Sequence, residues 1–491
     1  MPKAARRPRV LTSAHRSLDG NASDGQRGAG MNLTSDPIAR LVRDLAVPAS
    51  IGFFFNTMFN VVDTWWAGRI STQAQAALSL SFPVFFILIA TGSGLAQGAT
   101  ALIANALGSG DVSRARHYVA QSALLGTVAG LLMTGVGLLV APALFRLLGA
   151  TEEYLSLSLA YMNMILLGSV VFVLQAVLNG GLQAQGDTRT YRNVLVAGCL
   201  LNMAVDPWLL YGGAGVPALG ISGIALATVL ITVAGTAYVA LRVRRTALGA
   251  GLRSRDFQPR AATFREIALQ GLPASLNMMT VALGIFVITW FVSRFSPKGV
   301  AAYGIATRVE QIVLLPTIGL NIATLTLSGQ NHGAGRPGRV QQAWTTALRY
   351  GLSLMAVGGL VLLTLATPLM EVFSRDPEVV AAGRSYLRVA AVTLGAYVVL
   401  YQTVFMLQGL KRPLFGLWIG LYRQVAAPAI LFPLLAFSTG ANLGLQGIWF
   451  GIALTNGSAA LVAWLYGRHV LQNAVAAAPT KPDWSPESAR G

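Results

Sequence analysis

A chain of 491 residues that is 54% hydrophobic and only 11% charged, with mean hydropathy +0.59, falls well short of the roughly 25% charged residues of a soluble domain. Its net charge of +18 would suit a nucleic-acid partner, but the basic residues are sorted by position along the chain, and that excludes the reading. The single cysteine, Cys199, allows neither an internal disulfide nor a thiolate metal cluster and reads as a small buried hydrophobe.

The chain opens with a basic tail, residues 1–36, rich in Arg, Gly and Ser. It lacks the apolar core of a signal peptide and reads as disordered. Met31 reads as an alternative start. Long apolar runs follow, among them 78–106, 122–144, 219–241 and 352–369. Each supplies the roughly 20 residues that cross about 30 Å of hydrocarbon. About twelve such runs predict an all-α polytopic membrane protein with twelve transmembrane helices. Numbered from Pro37, the even-to-odd connections hold fifteen Arg and Lys residues, and the opposite side holds or borders on six. The positive-inside rule then puts both termini in the cytoplasm of a plasma (inner) membrane. Residues 473–491 read as a second disordered tail.

The chain also repeats itself. VPASI at 47–51 returns as LPASL at 272–276, and GSGD at 108–111 as GAGR at 333–336. QG at 185–186 returns at 408–409, and LGISGI at 219–224 as LGLQGI at 443–448. The offsets of 223 to 225 define two parallel six-helix repeats, an N-lobe at 37–245 and a C-lobe at 265–472. A basic cytoplasmic linker, 246–264, joins them. Parallel repeats are related by an axis along the membrane normal, and transporter sites commonly lie at their interface.

Polar residues inside such runs are costly and mark function. In the first helix Asn56, Asn60 and Asp63 are spaced four and three apart, which predicts one shared face. In LNMAVDPWLL, Asn202 and Asp206 are four apart, and Pro207 frees the carbonyl of Met203. Asn179 and Thr228 add an amide and a hydroxyl. Shifted by the repeat offset, Asp63 lands on Ile288, Asp206 on Ala429 or Ile430, Asn202 on Val425 or Ala426, and Thr228 on Ile452. Only Asn179 meets another amide, Gln402. The second half builds the same bundle without either acid, so an ion site is expected rather than structural hydrogen bonding alone. Two neighbouring carboxylates repel until a proton or a cation binds; the oxygen donors suit H⁺ or Na⁺. The second half carries Arg308, Glu310 and Arg423. Glu310 with Arg423 is expected as a buried ion pair, the other reading being a substrate or gating contact.

No lysine precedes Ser or Thr, so no Walker A motif is present. The four histidines do not cluster. Neither an enzyme nor a resident cofactor is expected, and no metal site beyond possible Na⁺ at the Asp63/Asp206 pair.

VPASIGFFFNTMFNVVDTWWAGRIS (47–71), LNGGLQAQGDTRTYRNVLVAGCLLNMAVDPWLLY (178–211) and LGISGIALAT (219–228) resemble the MATE family of multidrug and toxin extrusion transporters. AAYGIATRVEQIVLLP (301–316) resembles its DinF-like branch. The resemblance implies two six-helix lobes around a V-shaped cavity, with cation-coupled export of cationic or amphipathic small molecules by alternating access. It implies a cation site of Asp63, Asn179, Asn202, Asp206 and Thr228. Helix 1 would rearrange near Pro48. Phe59 stands where relatives often have Tyr, and the C-lobe acids of the NorM-like branch have no match, which confines coupling to the N-lobe and favours H⁺. The alternative is a lipid-linked oligosaccharide flippase of the same superfamily. The expected partners are the substrate and the bilayer, with no nucleic acid, and the default assembly is a monomer.

Overall fold

The computed structural model describes residues 31–150, 152–437 and 443–477. Residues 1–30 and 478–491, where most of the two tails was expected, lie outside the described residues. The first half comprises α1 (Ile38–Ile70), α2 (Thr72–Gly108), α3 (Val112–Leu147), α4 (Glu152–Leu167), α5 (Ser169–Ala184), α6 (Arg189–Tyr211) and α7 (Ile221–Arg244). A four-residue helix, α8 (Ala247–Ala250), precedes α9 (Ala261–Ser293), α10 (Pro297–Gly333), α11 (Pro337–Glu371) and α12 (Pro377–Gly409). Then come α13 (Leu414–Leu421), α14 (Ala427–Phe432) and α15 (Leu445–Ala476).

Among the described residues, eleven helical spans are long and apolar enough to cross a bilayer, and α4 with α5 makes the twelfth as one span bent by 47°. The eleventh span, Leu414–Phe437, joins α13 and α14 through two π-helical stretches, Tyr422–Ala426 and Pro433–Phe437. Tight loops are capped locally: Ser71 accepts from Ala74 N, Asp111 from Arg114 N and Ser296 from Gly299 N.

The repeat is written into the backbone. Gly220 and Gly444, offset by 224, share φ 57° and ψ −138° immediately before α7 and α15. Elsewhere the structure corrects the register. Positive φ recurs at Gly186 and Lys411, so the equivalent of Gly186 is Lys411 rather than Gly409, and Asn179 falls on Val404 instead of Gln402. The π-helical turn in the eleventh span inserts one more residue, so Pro207 matches Pro433 and Asp206 matches Phe432, which is wholly buried. Every polar site position of the first half thus has an apolar counterpart in the second.

The two halves meet along α1, α2, α9 and α10, toward the ends bearing the basic connections. There Ser50 Oγ donates to Pro316 O at 2.9 Å, Asn105 Nδ2 to Gly409 O at 2.8 Å and Gln330 Nε2 to Ala184 O at 2.7 Å. Gly94 lies against Ser275, and a Cβ on Gly98 would stand 2.6 Å from Gly271 N. Small residues permit this backbone approach. Toward the opposite ends the same helices expose large apolar side chains such as Val61 and Phe286. The molecule is therefore sealed on the basic side and open on the other.

Two connecting segments are pinned to the bundle. Within the 1–36 tail, residues 33–36 are tied to the second half. Leu33 is buried, Asn331 Nδ2 donates to Leu33 O, Arg336 Nη1 to Thr34 O and Arg339 Nη2 to Asp36 O. The expected linker 246–264 is clamped by Gln121 of α3. Gln121 donates 2.7 Å bonds to Asp256 O and Gln258 O and accepts from Arg260 N.

Candidate functional site

One amide organises the first half's interior. Asn202 is fully buried on α6, and its Nδ2 donates to Asp63 Oδ1 of α1 at 2.9 Å and to Asp206 Oδ1 at 2.8 Å. Both amide hydrogens are used. The four-residue spacing on α6 stacks Asn202 and Asp206 on one face, as expected. Thr228 of α7 completes the group; its hydroxyl lies 3.4 Å from Asp63 Oδ2 and 3.1 Å from Ile224 O. Asp206 Oδ2 and Asn202 Oδ1 are buried without a hydrogen-bond partner. Buried polar atoms are rarely orphaned unless something else binds them. Two carboxylates, an amide oxygen and a hydroxyl form a hard oxygen set of the kind that takes a proton or a small monovalent cation.

The structure brings Asp63, Asn202, Asp206 and Thr228 together and leaves Asn179 out. No hydrogen bond among the described residues joins Asn179 to this cluster, and its Oδ1 is unpartnered. Gln175, one turn earlier on α5, already bonds Thr232 O, one turn below Thr228. Asn179, one further turn along α5, therefore lies toward the basic side of the cluster. Tyr161 of α4, which sequence reasoning missed, is buried in the same half. A lone Tyr in an apolar run gave no signal.

Asn56, Asn60 and Asp63 lie at the expected spacing on the unbroken helix α1, but their burial differs. Asn60 is exposed and its amide is satisfied on Asn56 O at 2.8 Å, while Asp63 is buried. Pro48 is buried and α1 runs unbroken through it. Phe59 packs its ring near Gly198 of α6 and adds no oxygen ligand.

The expected Glu310–Arg423 ion pair is also corrected, because aromatic residues separate the charges. Glu310 Oε2 accepts from Tyr386 OH at 2.6 Å. Arg423 donates to Tyr401 OH at 3.0 Å and to Asn456 Oδ1 at 3.3 Å, with its guanidinium 5.4 Å from the ring centroids of Tyr397 and Tyr401. These tyrosines supply a polar lining that the sequence alone could not assign. Arg308 is exposed and, among the described residues, makes no hydrogen bond or ion pair.

A bundle of two repeats, sealed on one side and holding, among the described residues, a buried pair of carboxylates in its first half only, has the build of a membrane carrier. A profile of the family described as MatE matches residues 48–208 and again 273–434; the starts are 225 apart and the ends 226, following the register above. The chain belongs to this family of transporters. It is 29% identical over 427 residues to a protein of Shewanella oneidensis named as a FAD transporter, covering 86% of this chain and 93% of that one. It is 27% identical to a probable multidrug resistance protein NorM of Thermotoga maritima, over 68% and 72% of the two chains. A solved structure described as the outward-facing conformation of a multidrug resistance MATE family transporter superposes with TM-score 0.84 at 26% identity, covering 92% of this chain and 99% of that one.

Proposed function

We propose that the protein is an ion-coupled antiporter that exports amphipathic small molecules by alternating access, with H⁺ or Na⁺ exchanged at Asp63 and Asp206. The observation that carries this reading is the single amide of Asn202 bridging Asp63 of α1 to Asp206 of α6. Two bare carboxylates so bridged in a low-dielectric interior repel, and a bound proton or monovalent cation removes the repulsion. Binding at Asp63 competes with its bonds to Asn202 and Thr228, which tie α1 to α6 and α7.

α1 is the shared part. Its buried face holds the carboxylate, and its lower turn seals the seam through Ser50 and Pro316. Loosening Asp63 frees α1 to move against α10, and a ligand changes an equilibrium only through such differential contacts. We place the pivot at Pro48, whose missing N–H leaves the helix one hydrogen bond short just below the seam. We assign the basic side to the cytoplasm of the plasma membrane. We take the two lobes as 37–245 and 265–472 and the single chain as the working unit, since one chain holds the coupling site and both faces of the seam.

The relatives' names, FAD transporter and multidrug protein, put both flavin nucleotides and drugs on the substrate panel. The test uses purified protein in liposomes with a trapped pH or Na⁺ dye. Adding substrate should evoke ion flux with wild type and none with Asp206→Asn. Equal flux from Asp206→Asn would end the proposal.

A further inference from the structure

The four helices that meet at the seam allow the open cleft to be read by helical register. Ser50 of α1 lies against Gly319 of α10, and Gly94 of α2 against Ser275 of α9. Eleven residues are close to three turns, so a residue eleven positions toward the open side shares its seam partner's face, about 16 Å higher. Those positions are Val61 (50 plus 11), Pro83 (94 minus 11), Phe286 (275 plus 11) and Arg308 (319 minus 11). All four are exposed, Val61 by 53% and Phe286 by 70%. They form one level of the cleft wall, at the depth where Asp63 is buried two residues along α1.

Arg308 is the only charge in this set. On the same four faces, the positions seven, fourteen and eighteen residues above the seam carry Thr, Ile, Ala, Leu, Gly or Ser and no charge. The carboxylates at this depth point elsewhere. Asp63 and Asp206 are buried in the first half, and Glu310 is buried and bonded to Tyr386. Higher up, Arg69 and Arg294 stack on Trp65 and Trp290 at 4.7 and 4.4 Å from the ring centroids, so the outer ends of α1 and α9 add further positive charge. An unpaired guanidinium with five donors among apolar walls favours carboxylate, sulfonate or phosphate.

We propose that the cleft recognises an amphipathic organic anion, with Arg308 as the residue that selects for negative charge and Val61, Pro83 and Phe286 contacting its apolar body. This names the substrate class for the antiport reading above and rests on it. It replaces the cationic substrate that the family resemblance implies. The coupling ion and the substrate then use separate groups, Asp63 with Asp206 for one and Arg308 for the other. Their competition runs through α1 rather than through a shared carboxylate.

The test compares two dyes of one xanthene skeleton, anionic fluorescein and a cationic rhodamine, by fluorescence anisotropy on the purified full-length protein. Wild type should bind fluorescein about tenfold more tightly, a difference of about 1.4 kcal/mol, and added salt should shrink that preference. Arg308→Ala should erase it, Arg308→Lys should keep part of it, and Arg308→Glu should reverse it. Equal affinity for both dyes, no measurable binding of either, or an unchanged preference in Arg308→Ala overturns the proposal. A fluorescein-headgroup lipid in the same assay separates the sources: tighter binding than the free dye assigns a lipid headgroup, weaker binding a soluble anion, and both support an anion site. Asp63→Asn separates this inference from the antiport reading. It should keep the fluorescein preference while losing ion-driven transport.

Discussion

Replacing Asn202 with Leu tests whether the amide is what holds the ion site together. Leu keeps the branching and heavy-atom count of Asn and adds no polar atom, and the carboxylate-free background below subtracts its packing cost. The change removes two hydrogen bonds, at 2.9 and 2.8 Å, from buried carboxyl oxygens. A hydrogen bond to a charged group is worth about 1.5–3 kcal/mol, which makes the pair worth about 3–6 kcal/mol if both carboxylates stay ionised. Proton uptake relieves part of the loss. The protein carries its own reporter, since Cys199 is its single cysteine, is buried, and lies three residues from Asn202 (202 minus 199). A maleimide dye that reacts with Cys199 on unfolding should show Asn202→Leu melting up to about 3–12 °C below wild type, taking roughly 1–2 °C per kcal/mol for a chain of this length. In an Asp63→Asn, Asp206→Asn background the same substitution should cost about 1 °C or less, because partners lost together do not add. A wild-type melting temperature for Asn202→Leu refutes the reasoning. So does a drop that persists undiminished without the carboxylates.

Three further outcomes follow. Gly98→Val brings a side chain against the Gly271 backbone and should part the seam; an overpacking cost of about 1–3 kcal/mol should reduce the basic-side-closed population about tenfold in spin-label distance measurements. Arg423→Met should lower the melting temperature, since Tyr401 and Asn456 lose a charged donor, yet leave the choice of coupling ion unchanged; a switch of ion would move coupling into the second half. Gln121→Ala removes two carbonyl partners and one amide partner of residues 256–260, so trypsin should cut at Arg253, Arg255 or Arg260 several times faster than in wild type.

The transmembrane bundle and its repeat were legible in the sequence because hydropathy and spacing determine them directly. The pairing of Asn202 with Asp206 followed from a spacing of four on one helix. Spacing does not report whether a side chain is already satisfied: Asn60 spends its amide on Asn56 O and is exposed, while Asp63 is buried. Asn179 was placed at the site by the family resemblance, and no spacing along the chain records the depth of α5 relative to α6 and α7. The Glu310–Arg423 pairing failed because opposite charge is not the only way to satisfy a buried ion, and tyrosines from α12 took both partners. The π-helical turn Tyr422–Ala426 of the eleventh span shifted the repeat register by a residue without any sequence mark, and the apolar matches survived because each alternative position is apolar too.

The most direct test of the central claim is transport into proteoliposomes under an imposed proton or sodium gradient, one at a time, for wild type and Asp63→Asn, with one anionic and one cationic fluorescent substrate. Wild type should accumulate the anionic dye under one of the two gradients and Asp63→Asn should accumulate none. Accumulation by Asp63→Asn at the wild-type rate would contradict it.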